Sequence, residues 1–132
     1  MKRKIYSKEQ KQTYFKRLRQ EWQQAKETAK LDEIGAIIQN HGLNISPIGF
    51  ALVARQMQEL NLEGIPYLDA KTYQGWKENG FQVQKGETSR IHGITWINVN
   101  KHIEIDDPEN EDESFLMPKV YNLFHKTQVQ PL

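Results

Sequence analysis

Cysteine is missing from this chain altogether. Disulfides and thiolate metal sites are thereby excluded, and a reducing cytoplasm is the expected compartment. Long apolar runs are missing as well, since no stretch approaches the ~20 residues a membrane span needs. The opening residues MKRKIYSKEQKQ are basic but lead into no apolar segment, so they do not read as a secretory signal. Catalytic signatures are equally scarce. The histidines, His41, His92, His102 and His125, fall without the paired spacing of a zinc helix, and neither a serine-nucleophile motif nor a glycine-rich phosphate loop occurs. The expectation is a protein that is not an enzyme and carries no cofactor and no metal. At 132 residues it should fold as one domain, 1–132, with a core large enough to need no covalent staple.

What the chain does have is charge, unevenly placed. The formal net charge is +1, yet residues 104–113, EIDDPENEDE, hold seven acids and no base. Residues 2–30 hold ten Lys or Arg against three Glu. Exposed charges are screened within roughly 8–10 Å in physiological salt, so a partner senses the local block and not the net value. A near-neutral chain of this kind is compatible with a nucleic-acid partner.

In chain order, Ser7 with Gln10 forms a capping-box candidate. Phe15, Leu18, Trp22, Ala25 and Ala29 recur at helical spacing, predicting a helix over 8–30. Lys16, Arg19, Gln23, Lys26 and Lys30 share an acid-free flank of it, either a solvated side or a phosphate-contacting strip. Asp32 is expected to cap a second helix, 33–40, with Ile34, Ile37 and Ile38 inward and Gly42 as its stop. Ser46-Pro47 opens a third, whose run Ile48 to Ala54 should be the most buried, with Met57 and Leu60 continuing the core. After a connector at Gly64-Ile65-Pro66, Asp69 is expected to cap a helix through Asn79 that stops at Gly80, with a strand or a ligand approaching closely at Gly75, the sheet in preference. The helical part thus reaches residue 79.

The sheet part is expected over 81–130. Phe81 to Gln84 alternates as a half-buried strand, Lys85-Gly86-Glu87 turns, and Ile91 to Val99 is a β-rich run with Trp96 in the core. Gly93 within that run signals a bulge or a close approach. Residues 104–113 are expected to be a charged loop. Phe115 to Gln128 returns to pair with the 91–99 run. The fold class is therefore α+β, with N-terminal helices packed on a small C-terminal antiparallel sheet of three to four strands.

One stretch, 72–97, organises this reading. Its Tyr73, Trp76, Gly80, Val83, Lys85, Gly86 and Glu87, followed by Val120-Tyr121-Asn122-Leu123-Phe124-His125-Lys126-Thr127-Gln128, resemble the N-terminal single-stranded-DNA-binding domain of ArdC-type antirestriction proteins. The resemblance covers roughly residues 7–130, by the ordered co-occurrence of short motifs. The acidic run and Gly93-Ile94-Thr95-Trp96 have no counterpart in the family's pattern. ArdC-type proteins usually carry a metalloprotease-like domain with a His-Glu-x-x-His helix after this one. No such motif occurs here, so protease activity is not carried over.

The resemblance implies a single-stranded-DNA-binding module of a mobile-element antirestriction or conjugation protein, from a plasmid or phage, binding DNA in preference to RNA. Such modules combine cations for phosphates with aromatic platforms for bases. The candidate nucleic-acid-binding residues are Lys71, Tyr73, Trp76, Lys77, Lys85, Arg90, Lys119, Tyr121, His125 and Lys126. His125 is either a solvent-facing polar residue or a base contact, and each aromatic is either core or platform. An alternative is an anti-defence protein whose acidic run mimics nucleic-acid phosphates in the groove of a host nuclease. A third is an interaction domain that touches no nucleic acid. Because a charged run has little to bury, replacing Asp106 to Glu113 by a short Gly-Ser bridge is expected to leave the thermal melting temperature unchanged. A collapse of the melting transition would show that the run is structural.

Overall fold

Apolar residues spaced by three and four make the first element a helix, α1 (Lys8–Thr28), in a computed structural model that describes residues 8–100 and 114–132. Leu18 and Ala25 are buried along its inner face, with Phe15 and Trp22 half-buried beside them. Ser7, the expected cap, and the acidic run 104–113 lie outside the described residues.

Helix α2 (Leu31–His41) begins before the expected Asp32 cap; Lys30 holds the cap position and offers no side-chain bond. Gly42 stops it as expected, at φ 61°, with its N–H and that of Leu43 returning to Gln39 and Ile38 carbonyls. The expected inward isoleucines are not buried: Ile34 and Ile38 are half-covered and Ile37 is exposed. The reason is that among the described residues α2 packs chiefly on α3. Helix α3 (Pro47–Glu59) follows the expected Ser46 cap, whose Oγ accepts from the Gly49 N–H at 3.1 Å. It buries Phe50, Leu52, Val53 and Met57. Leu60 does not extend that core, because the helix ends at Glu59 and Asn61, at φ 54°, turns the chain away.

The main sheet is antiparallel, β1 (Ala70–Lys71) beside β4 (Ser114–His125) beside β3 (Ile91–Asn100). Its long ladder runs from Ile91↔Leu123 to Asn100↔Ser114, the pairing expected from the sequence. The returning strand, however, ends at His125. A 3-10 turn (Lys126–Gln128) redirects the chain into β5 (Val129–Pro131), which pairs with β2 (Phe81–Val83) as a separate two-stranded sheet. The described residues are thus α+β, with three strands in one sheet and two in the other.

That topology places the expected Lys85-Gly86-Glu87 turn between the two sheets. Gly86 does adopt the left-handed conformation, φ 87°, but the turn joins strands of different sheets and is no hairpin tip. Buried Gln128 enforces this. Its Oε1 accepts from the His125 N–H at 3.0 Å, and its Nε2 donates to Glu87 Oε2 at 3.0 Å and to the Thr88 carbonyl at 2.7 Å. Helix α4 (Tyr73–Glu78) is capped by Thr72 and not by Asp69. Asp69 Oδ2 instead accepts from the Ile65 N–H at 2.6 Å and closes the preceding turn. At Gly75 an added Cβ would meet that cap, Thr72 Oγ1, at 3.1 Å and then Lys71 Cβ of β1 at 3.4 Å, so the cap and the sheet edge both approach it.

Successive strand residues point to opposite sheet faces. Along β4 the odd positions, Lys119, Tyr121, Leu123 and His125, share one face, and the even positions, Val120, Asn122 and Phe124, the other. On the odd face Ile91, Leu123 and Ala70 pack with Val53 and Met57 of α3, and the Tyr121 ring lies across Gly93 where any Cβ would collide with it. On the even face Ile94, Val120 and Trp96 pack under α1, with Trp22 edge-on to Trp96 at 5.5 Å. Helix α3 serves both faces because it runs along the outer edge of β3. There Gln56 makes both bonds of a missing strand, Nε2 donating to the His92 carbonyl at 2.8 Å and Oε1 accepting from the His92 N–H at 3.0 Å. Gln56→Ala orphans both backbone groups, and a loss of about 1–3 kcal/mol in urea unfolding is expected. A loss under ~0.5 kcal/mol, the range of ordinary surface substitutions, would show that the edge does not depend on this clamp.

Candidate nucleic-acid interface

The even face of the sheet is only partly roofed. Helix α1 covers it as far as Val120, leaving the half-buried Phe124 ring and the exposed Asn122 amide beyond. From the far side α4 contributes Tyr73, 48% exposed, edge-on to Phe124 with ring centroids 6.5 Å apart. One turn along α4, Lys77 places its Nζ 5.1 Å from the Tyr73 ring centroid. Arg90 enters from β3's leading end, next to Ile91, the partner of Leu123. It lines a small cleft with Asn122 and with Tyr14 and Arg17 of α1. Arg17 is stacked 5.5 Å from the Tyr14 ring centroid. At the cleft's side His92 Nε2 meets Glu21 Oε2 at 2.9 Å. The result is a strip running Lys77, Tyr73, Phe124, Asn122, Arg90, Arg17, in which exposed cations bracket two aromatic rings and one amide.

Of the ten residues expected from the sequence, this strip unites Tyr73, Lys77 and Arg90. Lys71 lies close by but is engaged, its Nζ donating to the Tyr67 carbonyl at 2.9 Å and lying 5.8 Å from the Trp76 ring centroid. Trp76 is not a platform. It is 5% exposed, its Nε1–H donates to the Phe124 carbonyl at 2.8 Å, and its ring meets Phe81 edge-on. His125 is neither solvent-facing nor available to a base, being 1% exposed. Its Nδ1 accepts from the Thr127 N–H, so Nε2 is the nitrogen that donates to the Glu63 carbonyl at 2.6 Å. Tyr121 and Lys119 fall on the opposite, odd face, Tyr121 covered by its contact with Gly93 and a hydroxyl–hydroxyl bond to Tyr67. Lys126 faces Asp69 at 3.8 Å, which offsets its charge. Lys85 is exposed on the turn after β2, carried by the second sheet and outside the strip.

Four residues at the strip and its cleft are additions to the sequence-derived set. Phe124 and Asn122 could have been found from the alternation of 120–125 once Leu123 was assigned to the core. Arg17 and Tyr14 could not. The acid-free flank with Lys16, Arg19 and Lys26 is the more conspicuous one, yet by helical rotation it lies on the other side of α1 from Tyr14, Arg17 and Glu21. Among the described residues no three His, Asp or Glu converge to hold a metal ion, and no helix is long and apolar enough to cross a membrane. The run invoked for a host-nuclease partner lies outside the described residues. Compared with protein-family models, curated proteins and solved structures, the chain matches none.

The Tyr67–Tyr121 pair has a consequence for stability. Burial above all, then the bond to Tyr121 and that ring's charge, holds the Tyr67 hydroxyl far above its ordinary range. Tyr121 is also raised by burial, although its bond to Tyr67 pulls the other way. A folded-state pKa above the unfolded value contributes stability that is complete below about pH 10 and is lost as pH rises beyond it. Urea unfolding followed from about pH 8 to about pH 11 should show a decline for the native chain and a flatter one for Tyr67→Phe/Tyr121→Phe. Equal slopes would remove the pair as its source.

Proposed function

We propose that this chain binds single-stranded nucleic acid along the even face of its sheet, with Tyr73 and Phe124 as stacking surfaces and Lys77 and Arg90 as phosphate contacts. The observation that carries the reading is Tyr73, a large ring left half in solvent between a cation on its own helix and a second ring on the sheet. Bases offer a π-face whatever their identity, and phosphates supply a salt-dependent attraction, so such a strip favours single strands with weak sequence preference. A duplex hides its base faces and gains only the charge contribution. The preference for DNA, and the setting in a mobile-element antirestriction or conjugation protein, rest on the resemblance to the ArdC-type N-terminal domain. In this reading the domain binds and performs no chemistry.

Fluorescence anisotropy with labelled single- and double-stranded oligonucleotides at two salt concentrations tests the proposal. Tyr73→Ala is expected to weaken single-strand binding by roughly 5- to 150-fold, the value of one stacked base, with little change in salt slope. Lys77→Ala with Arg90→Ala should lower the salt slope by ~0.7 for each phosphate no longer neutralised. A Tyr73→Ala chain that melts several degrees lower yet binds undiminished would assign the ring to packing and overturn its role.

A further inference from the structure

The strip is open at one end and closed at the other. A strand laid over Tyr73, Phe124 and Asn122 next meets Val120, which packs on the cluster containing Leu18 and Ala25 of α1, so α1 stands across its path. Sideways, Gln56 occupies the β3 edge and the Glu21–His92 pair fills the margin of the cleft. Two guanidiniums from distant parts of the chain, Arg17 on α1 and Arg90 before β3, border the cleft where the path ends. Among the described residues neither meets an acid within salt-bridge distance.

An internal phosphodiester carries one charge and needs room for chain on both sides. A terminal phosphate monoester carries up to two charges near neutral pH and needs room on one side only. Guanidinium forks suit its several oxygens, and a pair of them matches its second charge. We infer that the Arg17–Arg90 cleft holds the terminal phosphate of a strand, so that the protein prefers strands ending in phosphate to strands ending in hydroxyl. This rests on the single-strand reading above and adds to it a recognition of ends.

The test compares one oligonucleotide sequence in four forms: 5′-phosphorylated, 3′-phosphorylated, hydroxyl-ended and covalently closed into a circle. At least one phosphorylated form is expected to bind about tenfold tighter than the hydroxyl-ended form, the scale of an added charge-assisted bond at a partly exposed site. The circle should bind no tighter than the hydroxyl-ended strand. Arg17→Ala should erase the phosphate advantage, so that phosphorylated and hydroxyl-ended forms bind the variant equally. Equal binding of all four forms, or an advantage that survives Arg17→Ala, would overturn end recognition and leave single-strand binding in place. Failure of every form to bind would overturn the single-strand reading itself.

Discussion

A strand at the edge of a sheet leaves every second backbone N–H and C=O without a partner, and burying them unpaired is costly. In this protein one side chain answers that constraint at β3. Gln56 supplies a donor and an acceptor to His92 in the geometry of a neighbouring strand. A helix carrying that residue must lie along the edge and not on a face. From that position α3 sends Val53 and Met57 to one side of the sheet and Leu52 to the other, so a single helix seals both core clusters. The even face is thus covered by α1 together with the Ile48, Ala51 and Leu52 side of α3. Because α1 covers only part of that face, Asn122 and Phe124 stay accessible.

The period of two along β4 then sorts chemistry from structure. Lys119, Tyr121, Leu123 and His125 alternate with Val120, Asn122 and Phe124, and the two sets meet different surroundings. Apart from the exposed Lys119, the odd set is taken up by packing: Tyr121 across Gly93 and against Tyr67, His125 between Thr127 and Glu63. Of the even set, Phe124 meets Tyr73, Asn122 shares a cleft with Arg90, and Val120 packs under α1. Residues adjacent in sequence therefore meet different surroundings, and a candidate set chosen by residue type alone mixes the two faces.

The motif residues that carry the resemblance to the ArdC-type domain have, for the most part, structural tasks here. Trp76 anchors α4 to β4, Gly80 turns the chain at φ 86°, Val83 pairs with Val129, and Glu87 receives the Gln128 amide. They build the small second sheet and hold α4 against the first. In the proposed function they would act indirectly, through the placing of Tyr73 beside Phe124 and of Lys77 against Tyr73.

Local sequence alone determined the helices with their spacing, the Ser46 cap, the Gly42 and Gly80 stops, the long 91–99 strand with its returning partner, and hence the α+β class. Each of these depends on φ, on a cap within a few residues, or on side-chain periodicity, and such preferences operate within a turn or two of chain. Gly93 was also legible, as a point of close approach, though not which group would approach. Tertiary structure decided the rest. Pairing β2 with β5 needed Gln128 to reach Glu87 and Thr88, some forty residues away, and the burial of Trp76 needed the Phe124 carbonyl. The strip proposed to bind joins α1, α4, β4 and the approach to β3. No window of sequence contains Arg17, Tyr73, Arg90 and Phe124 together, so their convergence follows only from how the elements pack, with α3 held at the sheet edge and α1 crossing its face.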